Sequence, residues 1–475
     1  MTRTSRFLAP FMIAALLLSS VALLLPSQLV SAAGEEWEIR MEFVTTPNNG
    51  SVIEDDPLIF GTTAGGNVGV PPPSPPGADA RAFLGANLLE ERKAPLAAGE
   101  TRTWTLTLVK SSTADPPWVP ETSMTLSWED VTAISLGTFP LDATITLTGH
   151  GQNVNMRAVQ ELVLPANNYT FTITVTSRGD PDEVWVDDDF SGTDGTYEGT
   201  VNGTVLVYGY NAFTDIAYGI EAVSGSTVHV LAGTYSAFNI TTDDMTVVAE
   251  EDGAVVNTFY DPWDTRQQAM AYVGWDFWDG YVPAENATID GLIFDASGRS
   301  AGCDYDDGSA AIRYADSTGL VDSVEIYDVR FDENMYQGFG IVVHSAPQNT
   351  VTIRDAYIEG CNIGIYVGDD TIAVQDCEIS GGGSYSSYCA TGIFVDEYGT
   401  ATISGTEIHG CYDDNYMPFN PEAVIDSISN VGAGIYVAEY GTAIVTGCCD
   451  IYANEVGILV EYGGALTANG NNIYD

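Results

Sequence analysis

Apolar and polar residues alternate with a period of two along most of this chain, but in two different arrangements. Between residues 35 and 179 the alternation comes in separate runs, TRTWTLTLV, SMTLSW, ATITLTG and YTFTITVTS, divided by Gly and Pro turns. Successive side chains of a strand point to opposite faces, so each run buries one face, and the set predicts a β-sandwich. VPPPSPPG at 70–77 is too rich in proline to pair in a sheet and reads as an extended loop. SRGDPDE at 177–183 marks a boundary, after which VWVDDDFSGTDGT opens a second domain. There Phe213, Ile216, Ala217 and Ile220 fall at the spacing of one helical face, which predicts a short amphipathic helix before STVHVLAGTYS returns to strand.

The second arrangement is a repeat. Gly340, Gly364, Gly392, Gly434 and Gly457 each open a Gly-Ile strand, at successive intervals of 24, 28, 42 and 23 residues. GIFVDEYGTATISG and GIYVAEYGTAIVTG are nearly the same sentence. Each copy continues into a turn, a second strand and a third short β segment. A unit of this size cannot bury its apolar face alone, so units must stack, as in a parallel solenoid of three short strands per coil. ATIDGLIFDAS and DSVEIYDVRFDEN are looser earlier coils, and a leucine-rich repeat is excluded because the chain lacks a leucine lattice.

Two resemblances follow from these segments. LIFGTTAGG, the proline run, TWTLTL, MTLSWEDV, VNMRAV and YTFTITVTS stand in the order seen in an immunoglobulin-like β-sandwich module of secreted bacterial proteins, which implies a spacer or assembly role at 35–179. VDDD, the short helix, the AGTY strand and the Gly-Ile coils resemble right-handed parallel β-helix proteins of the pectate-lyase-like fold, over 183–475, with the cap and first coil at 183–250. The expected fold is therefore all-β, an N-terminal β-sandwich followed by a right-handed parallel β-helix.

Charge and composition narrow the function. Asp and Glu number 66 against 15 Lys and Arg, a formal charge of −51, which repels nucleic acid and anionic membrane surfaces. No Lys or Arg follows Arg354, so carboxylates there are neutralised only by protons, solvent cations or a bound metal, with calcium the natural ligand. An acidic solvated surface is the plainer explanation. Residues 1–33, with Arg3 and Arg6 before an apolar run and small residues at Ala32 and Ala33, read as a secretory signal peptide, shorter than the roughly 20 residues that span a bilayer. Export to the cell surface or medium is expected, without membrane insertion after cleavage. The seven cysteines lie between Cys303 and Cys449, where export permits disulfides and the odd count leaves one unpaired; no zinc spacing occurs. Sequons stand at Asn49, Asn168, Asn202, Asn239 and Asn286. GNNIYD stops in mid-coil, which leads us to expect a partner or further coils at that end.

Candidate chemistry lies in the coils. Asp370, Glu397, Glu439 and Glu461 fall near one turn position, the last three followed by Tyr398, Tyr440 and Tyr462, and stacked carboxylates there would bind calcium or sugar, or be solvated turn residues. Insertions at 297–311, 381–391 and 410–433 all precede a Gly-Ile strand and emerge on one side. They carry Tyr305, Asp306, Asp307, Tyr385, Tyr388, Tyr412, Asp413, Asp414 and Tyr416, a set suited to polysaccharide or cell-surface glycan, whose ring faces stack on tyrosine and whose hydroxyls donate to carboxylates. Surface loops of turn formers would have the same composition.

A carbohydrate-active enzyme, lyase or hydrolase, is the alternative, with Asp370, Glu397, Glu439, Arg313 and Arg354 as candidate catalytic groups; a non-catalytic stalk or adhesin is the third reading. The family's polygalacturonase motifs are missing: Gly149-His150-Gly151 stands alone in the sandwich. RYADS and IRDAY, around Arg313 and Arg354, match no lyase motif.

Overall fold

The computed structural model describes residues 36–47, 53–54, 57–63, 68–70, 81–85, 88–110, 121–134, 136–137, 139–191, 194–259, 269–276, 280–297, 309–329, 338–344, 350–381, 391–396, 398–412 and 432–474. The chain forms two compact units, Met1–Asp180 and Pro181–Asp475. Residues 1–33, expected from their pattern to be a signal peptide, lie outside the described residues, and among those described no helix is long and apolar enough to cross a membrane.

The first unit is a β-sandwich, antiparallel except where Leu58–Thr62 pairs in parallel with Glu90–Lys93. One sheet is built around Trp37–Pro47, flanked by Glu121–Trp128 and Leu58–Thr62; the other runs Gln152–Asn155, Ala143–Gly149, Tyr169–Ser177, Thr101–Val109, Arg81–Leu84. Alternation decides what is inside: in Thr101–Val109, Trp104, Leu106 and Leu108 are buried while the threonines between them are not. Trp104 packs across the sandwich on Trp37, ring centroids 6.0 Å apart, and donates its indole N–H to the Glu91 carbonyl at 3.0 Å, so the ring is buried without losing a hydrogen bond.

The second unit is a parallel β-helix with three ladder sheets. The longest, here the long sheet, includes Ala287–Asp290, Gly319–Asp322, Thr350–Arg354, Thr371–Gln375, Thr400–Ser404, Thr442–Thr446 and Ala465–Asn469. A second, the acid sheet, includes Ile293–Asp295, Glu325–Tyr327, Tyr357–Glu359, Glu378–Ser380, Glu407–His409, Asp450–Tyr452 and Asn472–Tyr474. The third, the insert sheet, includes Ala269–Val273, Ser309–Ala315, Gly338–His344, Ile363–Val367, Thr391–Val395, Ala433–Val437 and Val456–Val460. Each strand pairs with its equivalent in the next coil, as Thr371 with Thr400 and Thr400 with Thr442. Identical inward positions then form columns: Ile326, Ile358, Ile379, Ile408 and Ile451 are all fully buried, each contributing about 1.5–3 kcal/mol by burial.

Two glycines explain why the repeat is so strict. A Cβ on Gly392 would lie 2.6 Å from the Gly434 carbonyl oxygen and 2.6 Å from Ile408 Cγ2, and one on Gly399 would lie 2.3 Å from the Gly368 oxygen. Both positions touch the backbone of a neighbouring coil, which does not give way. Near the N-terminus of this unit the helix Ile216–Ala222 forms as its periodicity predicts, with Asp215 as N-cap accepting from the Ala217 N–H at 3.0 Å. It lays Ile216 and Ile220 on the first strands of the stack.

The described cysteines fill space. Cys361, Cys377, Cys411 and Cys449 are buried and Cys448 is exposed; Cys303 and Cys389 lie outside the described residues. Burial pushes the Cys377 thiol up to about 11, which makes it a poor nucleophile.

Candidate functional site

The connections from the acid sheet to the insert sheet are where the chain is longest, including 296–308, 328–337, 381–390 and 410–432, while the equivalent link at 453–455 is minimal. Of the tyrosines and aspartates expected to bind glycan, Tyr305, Asp306, Asp307, Tyr385, Tyr388, Asp413, Asp414 and Tyr416 lie outside the described residues, as does Glu397. Tyr412 is described: it is 40% exposed and sits at the root of the 410–432 connection, where a Cβ on Gly432 would meet its Cα.

These connections all lead into the insert sheet, whose outward row carries a second set of groups. The register places Tyr272, Arg313, Val342, Tyr366, Phe394, Tyr436 and Leu459 in one column. Beside it runs the first residue after each strand: the Gly368 N–H donates to Val343 O, Asp396 N–H to Val367 O, Ala438 N–H to Val395 O and Glu461 N–H to Val437 O, at 2.8–2.9 Å. Phenols of the first column reach carboxylates of the second one coil ahead. The Tyr366 hydroxyl donates to Asp396 Oδ2, and the Tyr436 hydroxyl donates to Glu461 Oε1. Phe394 lies between these tyrosines, its ring centroid 5.6 Å from Tyr366 and 4.7 Å from Tyr436.

The early end of the row is the most enclosed. Arg313 is only 4% exposed. His344, on the neighbouring strand, is pushed down to about 4 by burial and by the Arg313 charge, so it is neutral at pH 7. The Tyr366 phenol is driven above its ordinary range by burial first and by Asp396 second, with Arg313 opposing. Gly368 stacks over His344 and leaves the space above it without a side chain, its absent Cβ 3.4 Å from the His344 Cβ. A charged arginine, a neutral imidazole and a phenol–carboxylate pair thus share one patch.

Of the acidic residues expected at the turn, the described ones, Asp370, Glu439 and Glu461, stand at different turn positions. Turn residues run 368–370, 396–399, 438–441 and 461–464 between insert-sheet and long-sheet strands. Glu461 is the first of its turn and lies in register with Ala438; Glu439 is the second of its turn; Asp370 is the last of a shorter turn, where its carbonyl accepts the Thr400 N–H at 2.8 Å. Asp370 is also 2% exposed, whereas Glu439 is open to solvent. Counted from the Gly of each Gly-Ile strand, Asp370 is six residues on, Glu439 five and Glu461 four, so the offsets are already present in the sequence. Among the described residues the acidic groups that do converge are Asp187, Asp188 and Asp189 of the cap, with carboxylate oxygens within 4.8 Å of one another.

Tyr398 and Tyr440 do stack, ring centroids 5.6 Å apart and 6° from parallel, but Tyr462 is shifted to the position of Glu439. The two arginines proposed as bases stand on different sheets. Arg354, on the long sheet, is paired with Asp322 through both Nε and Nη2 and with Asp355 at 3.5 Å, and the Asp322 hydrogen bonds raise its pKa further, which opposes loss of its proton. Arg313 alone belongs to the insert-sheet row. Tyr366, Asp396, His344 and Tyr436 escaped sequence reasoning, although a signal existed: the second residue after each Gly of a Gly-Ile strand points outward, and it is Tyr366, Phe394 and Tyr436 in successive coils.

Comparison with known families agrees with this architecture. Residues 339–475 match the family described as right handed beta helix region. Neither the curated proteins nor the solved structures gave a match. The second unit is a right-handed parallel β-helix.

Proposed function

We propose that this β-helix protein is exported and binds a polysaccharide along the outward face of its insert sheet. The observation that carries the reading is the repeated phenol–carboxylate pair, Tyr366 with Asp396 and Tyr436 with Glu461, on the face into which the long connections lead. Sugar hydroxyls both donate and accept, and each pair offers a carboxylate acceptor next to a phenol oxygen. An elongated row with equivalent positions about 4.8 Å apart suits a linear chain better than a compact ligand. Tyr385, Tyr388, Tyr412 and Tyr416 of the connections would add ring faces. Export rests on the charged, apolar and small-residue pattern of residues 1–33. The test is affinity electrophoresis of the purified chain in a panel of soluble polysaccharides. Retardation by at least one of them, reduced in Tyr366→Ala and Tyr436→Ala, is expected; migration unchanged by every polysaccharide would overturn the reading.

The enclosed patch of Arg313, His344, Tyr366 and Asp396 favours one second reading, a carbohydrate-active enzyme on the same face. Shifted proton affinities cluster where chemistry is done, although structural networks produce them too. New reducing ends or unsaturated products after incubation with the bound polysaccharide would establish it, and their absence with binding retained would leave a binding protein. Calcium, if the protein uses it, would find described carboxylates at Asp187–Asp189 and along Glu378, Glu407 and Asp450.

A further inference from the structure

Two of the turns that lead from the insert sheet to the long sheet carry an aromatic step. Tyr398 and Tyr440 are in register, their rings 5.6 Å apart and 6° from parallel, and both are exposed. Each is the third residue of its turn, two after the row that holds Asp396 and Ala438. The step has a definite length. Gly463 follows Tyr440 in the column, and a Cβ built there would lie 3.5 Å from the Tyr440 ring. On the other side the turn Gly368-Asp369-Asp370 is one residue shorter and contains no ring. Both tyrosines have left-handed backbones, which bulky side chains seldom adopt, and together they make a two-ring ledge at the rim of the insert-sheet face.

Charge around this ledge has one sign. No Lys or Arg follows Arg354, so the coils from Ile363 onward hold none, in strands, turns or connections alike. Asp369, Asp370, Asp396, Glu439 and Glu461 stand in those turns. Arg313, the arginine of the insert-sheet row, is two coils before Tyr366 and only 4% exposed. An acidic sugar lying on the late coils would meet carboxylates with no arginine or lysine to pair with. The row does not offer a calcium bridge either. Asp396 and Glu461 are separated by Ala438, which puts their backbones two coils, about 9.6 Å, apart, whereas calcium holds its oxygens at about 2.3–2.6 Å. A neutral sugar meets no such penalty. Its hydroxyls donate to the carboxylates that Tyr366 and Tyr436 already engage, and its C–H face is left to lie on a ring.

We propose that the polysaccharide taken by this protein is uncharged, and that the Tyr398–Tyr440 ledge holds one of its sugar rings by stacking. The inference rests on the polysaccharide reading of the insert-sheet face and adds to it the class of polymer and a subsite beyond the strands. Glycine serves the same turn position at 463 without strain, so what Tyr398 and Tyr440 contribute there is a ring. A polymer running across the insert sheet reaches the ledge directly, because the turn begins where the strand ends.

The experiment is affinity electrophoresis of the full chain in gels holding neutral glucans, mannans or galactans, and in gels holding polygalacturonate or alginate, each with calcium and with a chelator. Expected is retardation by a neutral polymer and by neither polyanion in either buffer. Tyr398→Gly/Tyr440→Gly gives both positions the residue already present at 463 and should weaken binding of the neutral polymer about tenfold. Tyr398→Phe/Tyr440→Phe keeps the rings and should cost less than about twofold. Tyr218→Ala, at a comparably exposed tyrosine on the helix Ile216–Ala222, should change nothing. Retardation by a polyanion, with or without calcium, would overturn the proposal and leave polysaccharide binding standing. So would unaltered affinity of the glycine pair, or equal losses in the glycine and phenylalanine pairs, which would replace stacking by a hydroxyl contact. No retardation by any polymer would overturn the underlying reading and this inference together.

Discussion

Tyr398 and Tyr440, 61% and 50% exposed, hold their rings parallel at 5.6 Å while both backbones sit in the left-handed region, at φ of 66° and 65°. That conformation costs an L-residue about 1–2 kcal/mol. The next coil puts Gly463 at the same place, with φ of 91°, at no such cost. Tyrosine is thus kept where glycine would be easier, which is the pattern of a residue held for its side chain. Tyr440→Gly is expected to leave the thermal midpoint unchanged or raise it, the relief of about 1 kcal/mol offsetting the lost ring contact. A fall in midpoint equivalent to more than 1 kcal/mol would make the stack structural.

The close approach of coils at Gly392 predicts the opposite sign. Gly392→Ala forces a Cβ against the Gly434 carbonyl and Ile408, and overpacking of this kind costs about 1–3 kcal/mol, occasionally more. Urea unfolding should show a lowered midpoint, and an unchanged one would mean that the coils separate freely.

His344 makes stability depend on acid. Its proton affinity falls from 6.5 in the open chain to about 4 in the fold, so the unfolded chain binds more protons between those values. The associated stability is fully present above pH 6.5 and is lost as pH falls toward 4, by at most about 3 kcal/mol. His344→Gln should flatten the thermal midpoint across that window relative to the unaltered protein, and parallel curves for the two would place the imidazole in water.

For the insert-sheet face, Tyr366→Phe and Asp396→Asn should each weaken polysaccharide binding, and the double variant should lose less than the sum. Partners in one hydrogen bond couple, by roughly 0.5–3 kcal/mol in such cycles. Additive losses, measured by calorimetry with the polysaccharide that binds, would show that the Tyr366–Asp396 bond plays no part in recognition.

The amino-acid sequence alone determines a good deal of this protein. Alternation of threonines with Trp104, Leu106 and Leu108 makes a half-buried strand wherever it occurs, and the recurrent Gly-Ile strand makes a coil, because buried columns and close backbones tolerate few residues. Asp215 before Ile216 and the apolar spacing after it likewise suffice for a helix, since capping and periodicity are local. What needed the tertiary structure was exposure at the turns: Asp370 is 2% exposed while Glu439 is open to solvent. The pairing of Tyr366 with Asp396, 30 residues away, and the adjacency of Glu378, Glu407 and Asp450 exist only once coils are stacked. Strand propensity acts within a few residues, whereas these neighbours are set by the length of every intervening turn and insertion, which the stacking of the coils alone fixes.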